Sequence, residues 1–224
     1  MSRAPFEYPT VEMTEEEVAR EREVYGGLAE SVRRLAETSL RSTVDEDVVR
    51  EAQELIEQAT AKLSGSTIPG NFGVQLTTSG KVRGHGNAVV GLRNPIAVPL
   101  QITQDREKGC ASAEFELNAL YEGPPGMVHG GVTALILDQI CGEAAAAGGH
   151  PGMTGTLSLR YRQPTPLGKC SAVGWLDHFD GVKATVKGEL RRADGEVTVT
   201  CEGLFILPRW AREELAKAGP PQYE

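Results

Sequence analysis

The chain has 224 residues, is 40% hydrophobic and carries a formal charge of −8, enough for one well-buried domain with an attachment or for two small domains. The acidic balance excludes nucleic acid or an anionic membrane as the main partner, because the long-range field repels polyanions. No apolar run approaches the roughly 20 residues of a membrane span. The N-terminus is acidic and lacks an apolar signal core. Cys110, Cys141, Cys170 and Cys201 form no CxxC pair, so neither a zinc site nor a disulfide framework is indicated and a cytoplasmic location is expected.

Residues 1–65 read as a helical extension. Thr14 with Glu17, and Thr43 with Glu46, are capping-box patterns in which hydroxyl and carboxylate satisfy free amides at a helix start. Val18, Tyr25, Leu28, Val32 and Leu35 fall on one helical stripe, and Val48, Ala52, Leu55, Ile56, Ala59 and Leu63 on another. Two amphipathic helices packed as a hairpin are expected, as a cover or an oligomerisation element. Residues 66–90 are glycine-rich connector, a composition that serves either a lid or a mobile link. His85 lies there and is assigned no role.

Beyond Asn94 the period changes to two. Ala111, Ala113, Phe115 and Leu117 alternate with polar residues, as do Leu157, Leu159 and Tyr161 further on. Three more strands follow, joined by turns containing Asp180-Gly181 and Asp194-Gly195, both tight-hairpin signals. The pattern predicts an α+β layer: an antiparallel meander of four strands after a central helix, with a strand or two before it, the curved sheet wrapping the helix.

That helix, about 130–147, presents Thr133, Ile136, Leu137, Ile140, Ala144 and Ala147 on one face. Asp138 lies off this face, with the small residues Ala134, Cys141 and Ala145 at three- and four-residue spacing. It is either an idle polar contact at a subunit seam or a reacting carboxylate. At the helix start, His129 stands at the N-cap position, and Gly130 and Gly131 offer first-turn amides with no side chain to shield them. Such amides stabilise developing negative charge, although His-Gly-Gly can equally be a plain entry turn. His129 and Asp138 are nine residues apart, ~13 Å along a helix and half a turn out of phase. One chain cannot unite them. Two copies with antiparallel central helices can, giving two equivalent sites in a symmetric dimer.

The stretches "GPPGMVHGGVTALILDQICG", "PGMTGTLSLRYRQPTPLG" and "EGLFILP", with "GLRNPIAVPL" ahead of them, resemble the hotdog-fold thioesterases, specifically the PaaI-like group of the 4-hydroxybenzoyl-CoA thioesterase superfamily. The likeness covers residues 91–207 and leaves residues 208–224 as a tail. It implies an acyl-CoA thioesterase acting as a homodimer or a dimer of dimers, with no metal and no cofactor beyond the coenzyme A of its substrate. It implies Asp138 as general base or nucleophile, and Gly130, helped by Gly131, as donor to the thioester carbonyl. His129 would help orient that loop or the substrate. Thr154 would hold Asp138 or a water, unless it is an ordinary strand threonine. Some relatives carry an asparagine shortly before the histidine; here "GPPG" occupies that neighbourhood, so the oxyanion site rests more on backbone amides. Coenzyme A phosphates need local cations, for which Arg160, Arg162 and Lys169 are candidates, each equally compatible with plain exposed strand positions. Two rivals remain: a dehydratase, for which no motif is apparent, and a non-catalytic module binding acyl-CoA or an acylated carrier, which would have no need of Asp138.

Overall fold

The computed structural model describes residues 9–79, 82–98, 100–209 and 211–212. The chain divides into two compact units, one made chiefly of residues 96–212 and the other of residues 10–87 with 91–95.

The larger unit is built on β4 (Thr103–Asp105), β5 (Cys110–Leu117), α4 (Gly130–Ala147), β6 (Met153–Tyr161), β7 (Gly168–Asp180), β8 (Lys183–Arg192) and β9 (Val197–Ile206). Its strands form one antiparallel sheet in the order β4-β5-β7-β8-β9-β6. The expected meander is therefore three strands, β7-β8-β9, and the strand after the helix crosses to the far edge to pair with β9. The two Asp-Gly turns behave as read, with Gly181 and Gly195 at φ 56° and 88°, values that glycine adopts at little cost. No strand forms over 92–98; the sheet begins at Thr103.

α4 packs across the sheet with every residue of its predicted stripe buried. Two glycines permit the close approach: a Cβ at Gly174 would meet Ile140 and Ala144 at 3.2–3.4 Å, and one at Gly188 would meet the sulfurs of Cys141 and Cys201 at 2.9 Å. Leu117, Val186, Leu190, Val199 and Phe205 complete the core. Cys141 and Cys201 are free thiols whose Sγ atoms lie 3.5 Å apart, a juxtaposition across 60 residues invisible in the sequence. Contact with Cys201 and burial push the Cys141 thiol above its ordinary range. Cys141 and Ala145 are fully buried, so the small-residue surface expected around Asp138 is narrower than its spacing implied.

The other unit comprises β1 (Thr10–Val11), α1 (Glu15–Glu21), a π-helical turn over Arg22–Gly26, α2 (Gly27–Arg41), α3 (Glu46–Leu63), β2 (Gln75–Thr77) and β3 (Val82–Arg83). Thr14 and Glu17 form the predicted capping box. The second does not form, because Val44 and Asp45 stay out of the helix; Asp45 takes the N-cap position in extended conformation, with no side-chain cap bond. α2 and α3 do not pack as a hairpin, and the large apolar residues of their stripes stay exposed. The glycine-rich segment contributes β2 and β3, which join β1 in a small sheet. This unit is fastened by the Glu21 carboxylate. Arg83 grips it through Nε and Nη2 at 3.0 and 2.6 Å, His85 Nε2 stands 3.2 Å away and Arg93 3.6 Å away. Arg93 also stacks 3.6 Å over the Tyr25 ring. Most of the expected charged tail lies outside the described residues.

Candidate active site

The start of α4 is held by two loops. In "GPPG" a tight turn forms: Gly126 has φ 72°, and the Met127 amide donates to the Pro124 carbonyl at 2.8 Å. The Val128 amide donates to the Thr165 carbonyl, and the His129 amide to that of Tyr121. His129 is the N-cap residue, as its place in the sequence implied; its Nδ1 accepts the Gly131 amide at 3.0 Å. That bond requires an unprotonated Nδ1. The Val132 and Thr133 amides turn back to the His129 carbonyl. Among the described residues, the Gly130 amide is then the first-turn donor with no protein acceptor. It points out of the positive end of an 18-residue helix.

The peptide beyond it is pinned. Tyr161 and Thr133 both donate hydroxyl hydrogens to the Gly130 carbonyl, at 2.9 and 2.7 Å. A Cβ at position 130 would meet the Tyr161 ring at 3.3 Å, so glycine lets the aromatic lie against the helix start. The sequence marks Tyr161 as a strand-face residue inside a motif stretch and assigns it no role at the site. The same groups line a cleft of about 460 Å³ with Pro124, Met127, Arg162 and Pro164 on its walls.

Asp138 lies two turns along α4, half-buried, and its Oδ1 accepts a hydrogen bond from the Thr154 hydroxyl at 2.8 Å. Its second oxygen carries no hydrogen bond from a described residue. The pairing register explains how Thr154 reaches it. Thr154 stands opposite Phe205 and Thr156 opposite Leu204, so Gly155 is the extra residue of a β-bulge. Without it, Thr154 would face away from Leu157 and Leu159; with it, all three face α4. An isolated glycine inside a strand pattern was the available signal.

The predicted residues thus form two groups. Thr154 joins Asp138, while His129, Gly130 and Gly131 join Tyr161 and Thr133. Eight residues separate Gly130 from Asp138, ~12 Å of helix, and one chain does not bring them together. Of the cations, Arg162 borders the Gly130 cleft and also lines, with Arg160, Lys187 and Glu189, a groove on the opposite sheet face, while Lys169 stands opposite Glu116 on β5. No cluster of three or more potential metal ligands occurs among the described residues. No helix among them is long and apolar enough to cross a membrane.

A six-stranded antiparallel sheet wrapped on one long helix, with a glycine-led helix start and a mid-helix carboxylate, is a hotdog fold of the thioesterase kind. The thioesterase superfamily family model matches residues 125–199. A crystal structure of a thioesterase superfamily protein is 35% identical, covers 81% of this chain and 94% of its own, and superposes with a TM-score of 0.71. The chain belongs to the thioesterase superfamily, as its motifs implied. It is also similar to acyl-coenzyme A thioesterase THEM4 of Xenopus laevis, 32% identical over 95 residues, or 41% of this chain and 42% of that one. The Bos taurus protein of the same name is 34% identical over 97 residues, 41% and 38% of the two chains. The chain spans about two fifths of the length of these curated relatives.

Proposed function

We propose that the protein hydrolyses acyl-CoA thioesters to free acid and coenzyme A, in sites shared between two copies. The observation that carries this reading is the division of one helix into complementary halves. At its start a free amide sits on the positive end of the dipole, and two turns on stands a carboxylate with one oxygen held and one available. An antiparallel pair of α4 helices sets the Gly130 amide of one copy beside Asp138 of the other. The thioester carbonyl accepts from Gly130, and the carboxylate draws a proton from water as it attacks, or attacks the carbonyl itself. Negative charge gathers on the carbonyl oxygen, where the amide and helix dipole stabilise it, and the C–S bond breaks. The leaving thiolate takes up a proton, from the protonated carboxylate on the first route. On the second, water then cleaves the acyl–Asp138 anhydride, releasing the acid, restoring the carboxylate and supplying that proton. Thr154 fixes the carboxylate, His129 fixes the Gly130-Gly131 turn, and Arg162 supplies a cation beside the cleft for a phosphate. Beyond the groups of the chain the reaction as written uses only water, coenzyme A entering as part of the substrate.

The test is thiol release from short, long and aromatic acyl-CoAs. Asp138→Asn is expected to lower kcat by about a hundredfold or more while leaving the fold intact. Gly130→Pro deletes the amide at a helix position proline favours, behind a residue already extended at ψ 133°. It is expected to cost about 10²–10³ in kcat beyond Gly130→Ala, which sets the same Cβ against Tyr161 but keeps the amide. Co-expression of the two variants leaves one intact site in each mixed dimer and restores about a quarter of wild-type turnover. Full activity in Asp138→Asn would defeat the carboxylate role; no recovery on mixing would defeat the shared site.

A further inference from the structure

We infer that α3 is a self-association helix, pairing antiparallel with the α3 of a second copy. Every one of its 18 residues is exposed, Leu55 and Leu63 by 65% and 54%. A solitary helix of this length is marginal in water, and in proteins its stability comes from burying an apolar face. α3 has such a face and no described element covers it.

The pattern on that face names the occupant. Val49, Ala52, Ile56, Ala59 and Leu63 follow alternating three- and four-residue steps, the a and d positions of a heptad, and Val48 and Leu55 widen the seam at g. Arg50, Glu51, Glu54 and Glu57 all fall on outer positions. In a parallel pair, Val49, Ala52, Ile56 and Ala59 would each meet themselves, crowding the large layers and leaving the alanine layers empty. In an antiparallel pair centred near Glu54, Val49 meets Ala59 and Ala52 meets Ile56, so each layer sets a branched side chain against an alanine. Leu55 meets its own copy beside the dyad. The ends match in charge as well: first-turn Glu46 and Asp47 of one helix lie near last-turn Lys62 of the other, with the dipoles opposed. Such a pair buries on the order of 1,000 Å², where specific interfaces begin. This surface is independent of the chemistry proposed for α4.

The experiment is sedimentation equilibrium on the full chain over a concentration series, wild type against Leu55→Glu/Ile56→Glu. Because no described element packs on α3, the double variant should keep the sheet and α4 signal of its circular dichroism, losing at most the helical contribution of α3, while its limiting mass falls twofold. In parallel, Leu55→Cys is oxidised and run without reductant. It should give a covalent dimer, whereas Glu54→Cys, on the outer face, should not. An unchanged mass in the double variant, which is also the result if this chain's own surface or a different protein covers the stripe, overturns the proposal. So does a failure of Leu55→Cys to cross-link beyond the Glu54→Cys level.

Discussion

Tyr161 shows how much one hydroxyl can control. Its ring rests against Gly130 and its hydroxyl, with that of Thr133, holds the Gly130 carbonyl, fixing the helix start whose free amide is assigned to the oxyanion. Tyr161→Phe keeps the ring and removes one hydrogen bond worth about 1 kcal/mol. Kinetics on the preferred acyl-CoA should show kcat falling about fivefold with KM nearly unchanged, because the loss is felt most as charge develops on the carbonyl oxygen. Tyr161→Leu should fall further, since the packing goes too. Equal loss in kcat/KM and thermal stability from Tyr161→Phe would reduce the hydroxyl to a structural contact. At this scale the sequence was partly legible. Asp138, His129 and Gly130 announce themselves by type and spacing, whereas Tyr161 shares its strand parity with Leu157 and Leu159. Only the bulge at Gly155 brings Thr154 onto the same face, and the alternation of the strand does not reveal it.

Among elements, the joint between α1 and β3 depends most on charge. Burial raises the Glu21 carboxyl, but hydrogen bonds from Arg83 and His85 outweigh it and hold the group below the ordinary carboxylate range. For His85, burial lowers the affinity for a proton more than Glu21 raises it. Both groups therefore bind protons less readily folded than unfolded, and both contributions are full at neutral pH. The His85 part erodes as pH falls through and below the ordinary imidazole range, and the Glu21 part is lost as pH falls below the ordinary carboxylate range. Melting temperature should decline from about pH 7 to about pH 4. Glu21→Ala, which leaves the 8%-exposed Arg83 without its counter-ion, should destabilise this unit by about 3–5 kcal/mol. A variant as stable as wild type at neutral pH would show the network to be incidental. None of this was readable beforehand: Glu21 and Arg83 are 62 residues apart, and the glycine-rich composition masked two strands. The strands of the larger unit were readable because period-two burial and Asp-Gly turns are local. The place of β6 at the far edge was not, because a crossover depends on the whole sheet. The helical hairpin failed for a related reason, since an apolar stripe declares that it needs a partner but not which one.

For the whole molecule, association and activity become one quantity if the site is shared. Gly130 and Asp138 are ~12 Å apart along a rigid helix, and no rearrangement of side chains closes that gap within one chain. A monomer should hold substrate against one half-site and turn it over poorly. Specific activity should then fall on dilution along the same curve as the dimer fraction measured by sedimentation, and substrate or product analogue that bridges the two half-sites should shift that curve to lower protein concentration by mass action. Asp138→Asn should dissociate along nearly the wild-type curve, because the carboxylate's bonded partner is Thr154 of its own chain. Leu55→Glu/Ile56→Glu separates the two surfaces: it should reduce the assembly at α3 yet leave turnover per chain at wild-type level wherever the α4 pair persists. Specific activity that stays constant through the dissociation of the α4 pair would mean that each chain carries a complete site. The carboxylate and the amide would then be serving different substrates' ends, not the two sides of one carbonyl.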